Sequence, residues 1–210
     1  MSIKLSFSNT GQDLTGQSKI WGCPDLPDTL PYPEIPYEED GEKHADPMSF
    51  ICQIRLEDIA DIDRDNILPH QGMLYFFGEI DYFLGNFDAP NYPGMGEWSS
   101  HYFRVLYSPS CDNLNTHSIV DADGELLCRP AESISFYPCN DGEDDFKLLG
   151  RPFFSEVEEL YPSMVSLFQM DCNDKWNLMF HDSGMLNFLI SPDDLKNQNF
   201  NNAICYLHSF

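Results

Sequence analysis

The sequence predicts a strand-dominated α+β protein that forms a single domain over residues 1–210, with two intertwined sequence repeats packed about a pseudo-twofold axis. Aromatic residues make up 14% of the chain, and they favour pleated sheets packed face to face over a helical bundle. Apolar residues make up 42% of 210, which suffices for a large core without disulfides or metal ions. Three blocks of sequence also recur in the same order in both halves.

Apolar runs predict the strands. Residues 3–8 alternate with the period of a half-buried strand. Residues 48–54, "MSFICQI", and 72–80, "GMLYFFGEI", are too apolar for one-sided strands, so we expect both near the centre of a sheet. Further strands are predicted at residues 101–108, 164–170, 184–190 and 201–210.

Turn and cap residues predict the connections. Six prolines from Pro24 to Pro47 exclude a long helix or a central strand, which leaves an extended surface wrap turning at Asp40 and Gly41. Residues 81–97 read as a long loop, and Asp123-Gly124 marks a hairpin turn rather than a calcium loop. Short helices are predicted at residues 55–62, 155–160 and 191–198, the last with Ser191 as N-cap.

The internal repeat rests on three pairs of matching blocks: residues 19–24 with 147–152, 48–54 with 164–170, and 72–77 with 184–189. Gln53 matches Gln169, and each is followed by an apolar residue. The repeat-like halves span about residues 18–80 and 146–195. Two strands and a short helix are marginal alone, whereas two copies can bury both apolar faces in one core.

Charge and cysteine usage restrict the classes of partner and the cellular compartment that we expect. The chain has 35 acidic and 11 basic residues, a net charge of -24, which disfavours nucleic acid and anionic membranes and favours a basic protein partner. Seven cysteines without a CxxC pair fit a reducing cytoplasm. We find neither a secretory leader nor an apolar run of roughly 18 residues, so we expect a cytoplasmic protein.

The order of several blocks resembles the YwqG-like family of bacterial proteins, whose function is not established. The resemblance rests on "SKIWGCPDLP", "MSFICQI", "GMLYFF", "FRVLY", "KLLGRP", "LFQMD" and "SGMLNFLISPDDLKNQNF", from about residue 18 to the C-terminus. It implies a duplicated α+β fold, and it supplies no accepted catalytic residue. Trp21 precedes Gly22 where the family usually has paired glycines, which could reshape that turn.

Catalytic motifs are missing from the sequence. It contains no G-x-S-x-G elbow, no phosphate-binding glycine motif and no zinc-binding histidine spacing, so we expect no cofactor and no metal. His181 and Asp182, between two apolar segments, are the candidate acid–base pair, although a polar hairpin turn in which Asp182 caps the backbone is the favoured interpretation.

The leading functional hypothesis is a non-enzymatic acidic interaction protein that binds a basic protein, with an immunity-type role against a cationic toxin as one version. Its candidate partner-binding residues lie in the proline-rich segment: Tyr32, Glu34, Tyr37, Glu38, Glu39 and Asp40. The alternative is a hydrolase or small-ligand binder with a carboxylate and histidine cleft between the repeats. The sequence leaves the oligomeric state open.

Overall fold

The structure is a computed structural model that describes residues 1–120 and 123–210, and the backbone alone of Glu39. Strands hold 38% of the residues and helices 12%, which confirms the strand-dominated α+β class. The strands are β1 (Ser2–Asn9), β2 (Lys19–Ile20), β3 (Asp25–Pro27), β4 (Glu34–Glu39), β5 (Glu42–Pro47), β6 (Phe50–Arg55), β7 (Met73–Gly78), β8 (Gly96–Glu97), β9 (Phe103–Ser108), β10 (Leu114–Thr116), β11 (Glu132–Cys139), β12 (Lys147–Leu148), β13 (Val165–Met170), β14 (Met185–Ile190) and β15 (Ile204–His208). The helices are α1 (Ser155–Leu160) and α2 (Pro192–Lys196), with short 3-10 helices at Leu56–Ile59, Tyr82–Leu84, Asp174–Trp176 and Phe200–Asn202.

Eleven strands form one sheet in the order β8-β15-β14-β13-β12-β1-β11-β2-β6-β7-β9. In a flat sheet β7 and β13 would lie roughly 29 Å apart, because six strand spacings separate them. The ring centroids of Phe76 in β7 and Phe168 in β13 are nevertheless 4.8 Å apart, and Phe76 also contacts Phe188 in β14. The sheet is therefore strongly curled, and its core lies in the enclosed space.

The strands on either side of the central β1–β11 pair follow a similar order and pair in a similar way. On one side lie β12, β13, β14 and β15, and on the other lie β2, β6, β7 and β9. Lys19 of β2 pairs with Gln53 of β6, and Lys147 of β12 pairs with Gln169 of β13. The register shifts within β6 and within β13 occur at the same distance before the glutamine: Phe50/Cys52 and Ser166/Phe168.

Most predicted elements are present in the structure. The apolar runs at 48–54, 72–80, 164–170 and 184–190 contain strands β6, β7, β13 and β14, and residues 201–210 contain β15. Helix α2 begins as predicted, because the Ser191 hydroxyl accepts a hydrogen bond from the Asp194 amide at 3.0 Å. The loop at 81–97 contains a 3-10 helix and the short strand β8. Val120 and Leu126 form a bridge across the predicted hairpin, in which Asp121 and Ala122 lie outside the described residues.

The proline-rich segment folds into more regular structure than a simple wrap. Strands β4 and β5 form a separate two-stranded hairpin, and β3 pairs with β10 in another small sheet. Asp40 and Gly41 make the two-residue turn, with φ of 52° and 82°, as a type I′ hairpin requires. The prolines do keep this segment out of the large sheet, as their missing amide hydrogens dictate.

Candidate functional site

A cavity of about 260 Å³ lies beside the start of β6. Its wall is formed by the turn after β2, the segment between β5 and β6, and the connection between β10 and β11. The lining side chains that can do chemistry are Trp21, Cys23, Tyr32, Ser49, Asp81, His117, Cys128 and Arg129. Aromatic rings, thiols and both signs of charge therefore converge on one concave surface, as in small-molecule pockets.

The turn after β2 positions one wall of the cavity. Trp21 and Gly22 both have left-handed backbone angles, with φ of 60° and 72°. A Cβ atom on Gly22 would lie 2.7 Å from the Cβ of Ala131, so glycine is needed at that position. Leu149 in the second half adopts the same conformation, with φ of 63°. The left-handed turn is therefore retained, although Trp21 stands where the resemblance implies a second glycine.

Two thiols face each other in this wall. The Sγ atoms of Cys23 and Cys128 lie 3.0 Å apart, and both side chains are partly exposed. Burial and the hydrogen bond with Cys23 raise the pKa of Cys128 to about 11, so that thiol is protonated at neutral pH.

One carboxylate, Asp81, lines another side of the cavity, and Glu79 and Asp46 act on the charge near it. Ser49 donates a hydrogen bond to Asp81 Oδ1 at 2.5 Å. Burial, and then the charges of Asp81 and Asp46, raise the pKa of Glu79 to about 7. Among the described residues, no lysine or arginine forms an ion pair with any of these three carboxyl groups. This side of the site has negative charge that the chain itself does not compensate.

The opposite charge comes from Arg129. Its guanidinium carbon lies 5.9 Å from the ring centroid of Trp21, and Nη1 donates to the Trp176 carbonyl at 2.7 Å. Trp21 is 3% exposed, and within the described residues its indole N–H has no hydrogen-bond partner. A buried donor without a partner costs about 1–3 kcal/mol of stability.

The structure divides the predicted partner-binding residues between two places. Tyr32 lines the cavity, where its hydroxyl donates to the Met48 carbonyl at 2.9 Å and its ring packs on Phe77. The others lie on the β4–β5 hairpin: Glu34, Tyr37, Glu38, Glu39 and Asp40. Tyr37 is 39% exposed and stacks on His44, with ring centroids 5.3 Å apart. Pro47, at the end of the hairpin, lines the cavity, so the hairpin stands at its edge.

The predicted acid–base pair lies elsewhere. His181 has φ of 56°, its Nε2 is 3.0 Å from the Tyr92 hydroxyl, and its ring meets the edge of Phe83. Asp182 follows it at an exposed position. Neither residue is among those that line the cavity beside β6. Among the contacts of the described residues, His181 makes no ion pair with a carboxylate.

A second cavity, of about 380 Å³, does lie between the two halves. It is lined by Asn66, Ile67, Leu68, Pro69, Val165, Pro192, Leu195, Lys196 and Gln198. This lining contains no histidine and no carboxylate, which are the groups expected from the sequence for a cleft between the repeats. In the parts of the chain that the structure describes, no three metal-ligating side chains come together to hold an ion.

Apart from Tyr32, the sequence did not single out the cavity residues as a site, because they are distant from one another in sequence. Cys23 and Cys128 are separated by 105 positions, and no short spacing announces such a pair. Asp81 lies at the start of a segment that the sequence predicts as a loop, and Arg129 directly follows the predicted hairpin. The one available signal was Cys23 itself, which lies inside the repeated block at residues 19–24.

Comparisons with known proteins identify the family without assigning an activity. No curated protein matches the chain. No helix in the described residues combines the length and apolar character needed to cross a membrane. The sequence profile of a domain of unknown function, DUF1963, matches residues 18–156 and, in a second match, residues 129–208. Because these matches cover most of the chain, the protein belongs to the DUF1963 family.

Proposed function

We propose that this protein is an acidic interaction protein, which binds a basic protein segment through the β4–β5 hairpin. The observation that carries the proposal is the exposed hairpin itself. Residues 34–47 contain six acidic residues and one lysine, a net charge of -5, and Glu34, Glu38, Asp40 and Glu42 are all exposed. The immunity-type role against a cationic toxin remains one version of this proposal.

The distribution of cations supports the proposal. Five of the 11 lysines and arginines pair with carboxylates within the described chain: Lys4, Lys19, Arg55, Arg151 and Lys175. Lys147 is buried and donates to the Arg151 carbonyl. Few cations are therefore left to neutralise the remaining carboxylates of a chain whose net charge is -24. The hairpin therefore attracts cationic chains over several ångströms.

The hairpin also offers backbone groups for recognition. Strands β4 and β5 pair only with each other among the described strands, so each has an outer edge. An extended basic segment can pair along such an edge and bring its lysines or arginines next to the acidic side chains. Tyr37 adds an exposed aromatic surface at the same place.

The test uses a fluorescent oligolysine peptide and two charge-matched variants. In the hairpin variant, Glu34→Gln, Glu38→Gln, Glu42→Gln and Asp40→Asn remove four charges, and asparagine suits the left-handed turn. The control variant removes four exposed charges elsewhere, through Asp61→Asn, Asp65→Asn, Glu156→Gln and Glu159→Gln. We expect the hairpin variant to bind the peptide about tenfold more weakly, and the difference to shrink at high salt.

The charge-matched control separates recognition from general attraction. The two variants have the same net charge, so equal weakening in both would contradict a specific role for the hairpin. Unchanged binding by the hairpin variant would contradict it as well. Far-UV circular dichroism of both variants checks that the fold is retained.

Binding of a small ligand in the cavity beside β6 is the second candidate function. The carboxylate of Asp81 and the guanidinium of Arg129 favour it, because both residues line the same cavity. These groups suit a small molecule that carries both a positive and a negative group. The hairpin variant keeps every residue of the cavity wall, so ligand binding there would be unaffected by it.

We further propose that the chain is an internal duplication with approximate twofold symmetry. The matched strand orders, the pairing of Lys19 with Gln53 and of Lys147 with Gln169, and the two matches to the family profile support it.

The YwqG-like resemblance and its bacterial origin are proposed on the sequence blocks alone. A cytoplasmic location is proposed because all seven cysteines are free thiols.

A further inference from the structure

Two cysteines that are far apart in sequence meet in the wall of the cavity beside β6. Cys23 and Cys128 place their Sγ atoms 3.0 Å apart, and both side chains line the cavity. Both are partly exposed, unlike the fully buried Cys52 and Cys205. A reagent that enters the cavity can therefore reach both sulfur atoms.

Backbone hydrogen bonds hold the two cysteines opposite each other. The Gly22 amide donates to the Arg129 carbonyl at 2.9 Å, and the His117 amide donates to the Pro24 carbonyl at 2.9 Å. The residue before Cys23 is thus bonded to the residue after Cys128, and the residue after Cys23 is bonded to the chain directly after β10. The thiols can approach bonding distance with little movement of the chain.

We propose that Cys23 and Cys128 form a reversible thiol–disulfide site, which reacts with low-molecular-weight dialkyl disulfides and joins two walls of the cavity. One cysteine thiolate attacks a sulfur of the reagent, whose S–S bond breaks and releases one reagent thiolate. The second cysteine thiolate attacks the mixed disulfide, forms the Cys23–Cys128 bond and releases the other reagent thiolate. The two cysteines are oxidised, the reagent is reduced, and the two thiol protons end on the released thiols.

The remaining cysteines are poor competitors for this reaction. Cys52 and Cys205 have no exposed surface. Cys111, Cys139 and Cys172 are partly exposed, but among the described contacts none hydrogen-bonds to another thiol. These three can form mixed disulfides with the reagent, whereas the pair in the cavity can go on to an intramolecular bond. The proposal does not depend on the basic partner, so the two tests succeed or fail separately.

The experiment treats the reduced full-length chain with excess hydroxyethyl disulfide at about pH 8.5, because the thiolate is the attacking form and its fraction rises with pH. Free thiols are then alkylated in denaturant, and the protein is analysed by intact mass and peptide mapping. We expect a peptide that links Cys23 to Cys128, and any further loss from the seven free thiols to appear as hydroxyethyl adducts on Cys111, Cys139 or Cys172. The bond would close a loop of 105 residues, so the unfolding temperature should rise by about 10 °C and return on reduction.

Single substitutions provide the controls. Cys23→Ser and Cys128→Ser should each abolish the rise in unfolding temperature, while Cys111→Ser and Cys139→Ser should retain it. A linked peptide that joins any other pair, or seven free thiols after treatment, would overturn the proposal. If a serine variant does not fold, the peptide map of the unsubstituted chain still decides the question.

Discussion

At the scale of single residues, Glu79 carries a buried carboxyl group with a raised pKa, two positions before Asp81 of the cavity wall. It is 6% exposed, and burial together with the charges of Asp81 and Asp46 raises its pKa from 4.5 to about 7. The folded protein therefore keeps a proton on Glu79 at pH values where the unfolded chain has lost it. Because the folded state binds more protons in that window, stability falls as pH rises from about 4.5 through about 7.

Replacing this carboxyl with an amide should remove that loss. We expect Glu79→Gln to gain about 2 kcal/mol of unfolding free energy relative to the unsubstituted protein between about pH 5 and about pH 8. Urea denaturation at several pH values measures the difference. Glu156→Gln, on the exposed face of α1, is the matched control and should leave the pH dependence unchanged. If the unfolding free energy depends on pH in the same way in Glu79→Gln and in the unsubstituted protein, the raised pKa of Glu79 is contradicted.

At the scale of elements, two glutamines connect strands to the turns beside them. Gln53 in β6 accepts a hydrogen bond from the Asp25 amide at 2.9 Å and donates to the Gln17 carbonyl at 2.9 Å. In β13, Gln169, which matches Gln53 in the sequence blocks, accepts from the Phe153 amide at 2.8 Å and donates to the Asp145 carbonyl at 3.0 Å. Both side chains are fully buried, so these bonds replace bonds to water.

These glutamines allow the duplication to be tested. Gln53→Leu and Gln169→Leu each leave backbone groups without a partner in the interior, and each should cost about 2–4 kcal/mol of unfolding free energy. Gln12→Leu, at an exposed position, should cost almost nothing. Chemical denaturation gives the three values. A large loss in one half and a negligible loss in the other would contradict equivalent roles for the two blocks.

The same contacts explain which elements the sequence could predict. Strands β6, β7, β13 and β14 were predictable because each is a continuous apolar run, and burial on both faces requires such a run. Strands β2 and β12 contain two residues each, too few for any periodicity. Their positions depend on pairing with strands that are distant in sequence, such as that of Lys19 with Gln53 and of Lys147 with Gln169. The cavity beside β6 depends on similar long-range pairings, so its residues did not stand out.

At the scale of the whole molecule, the two halves share one core. Phe76 from the first half contacts Phe168 and Phe188 from the second. Trp21 and Trp176 also come from opposite sides, and their rings meet edge to face at 5.2 Å. A half that separated would expose these aromatic faces to water, at a cost of about 25 cal/mol for each Å² of apolar surface. The chain should therefore unfold as one cooperative unit.

Phe76→Ala tests the cooperativity of unfolding directly. The residue is fully buried where the halves meet, so the substitution should lower the unfolding free energy by about 3–5 kcal/mol without splitting the transition. Far-UV circular dichroism follows the sheet, and tryptophan fluorescence follows the contact between Trp21 and Trp176. Phe87→Ala, at a position that is 73% exposed, is the control and should change the midpoint little. Two separate transitions in the unsubstituted protein would mean that each half is stable alone, and the curled sheet would then be two units rather than one.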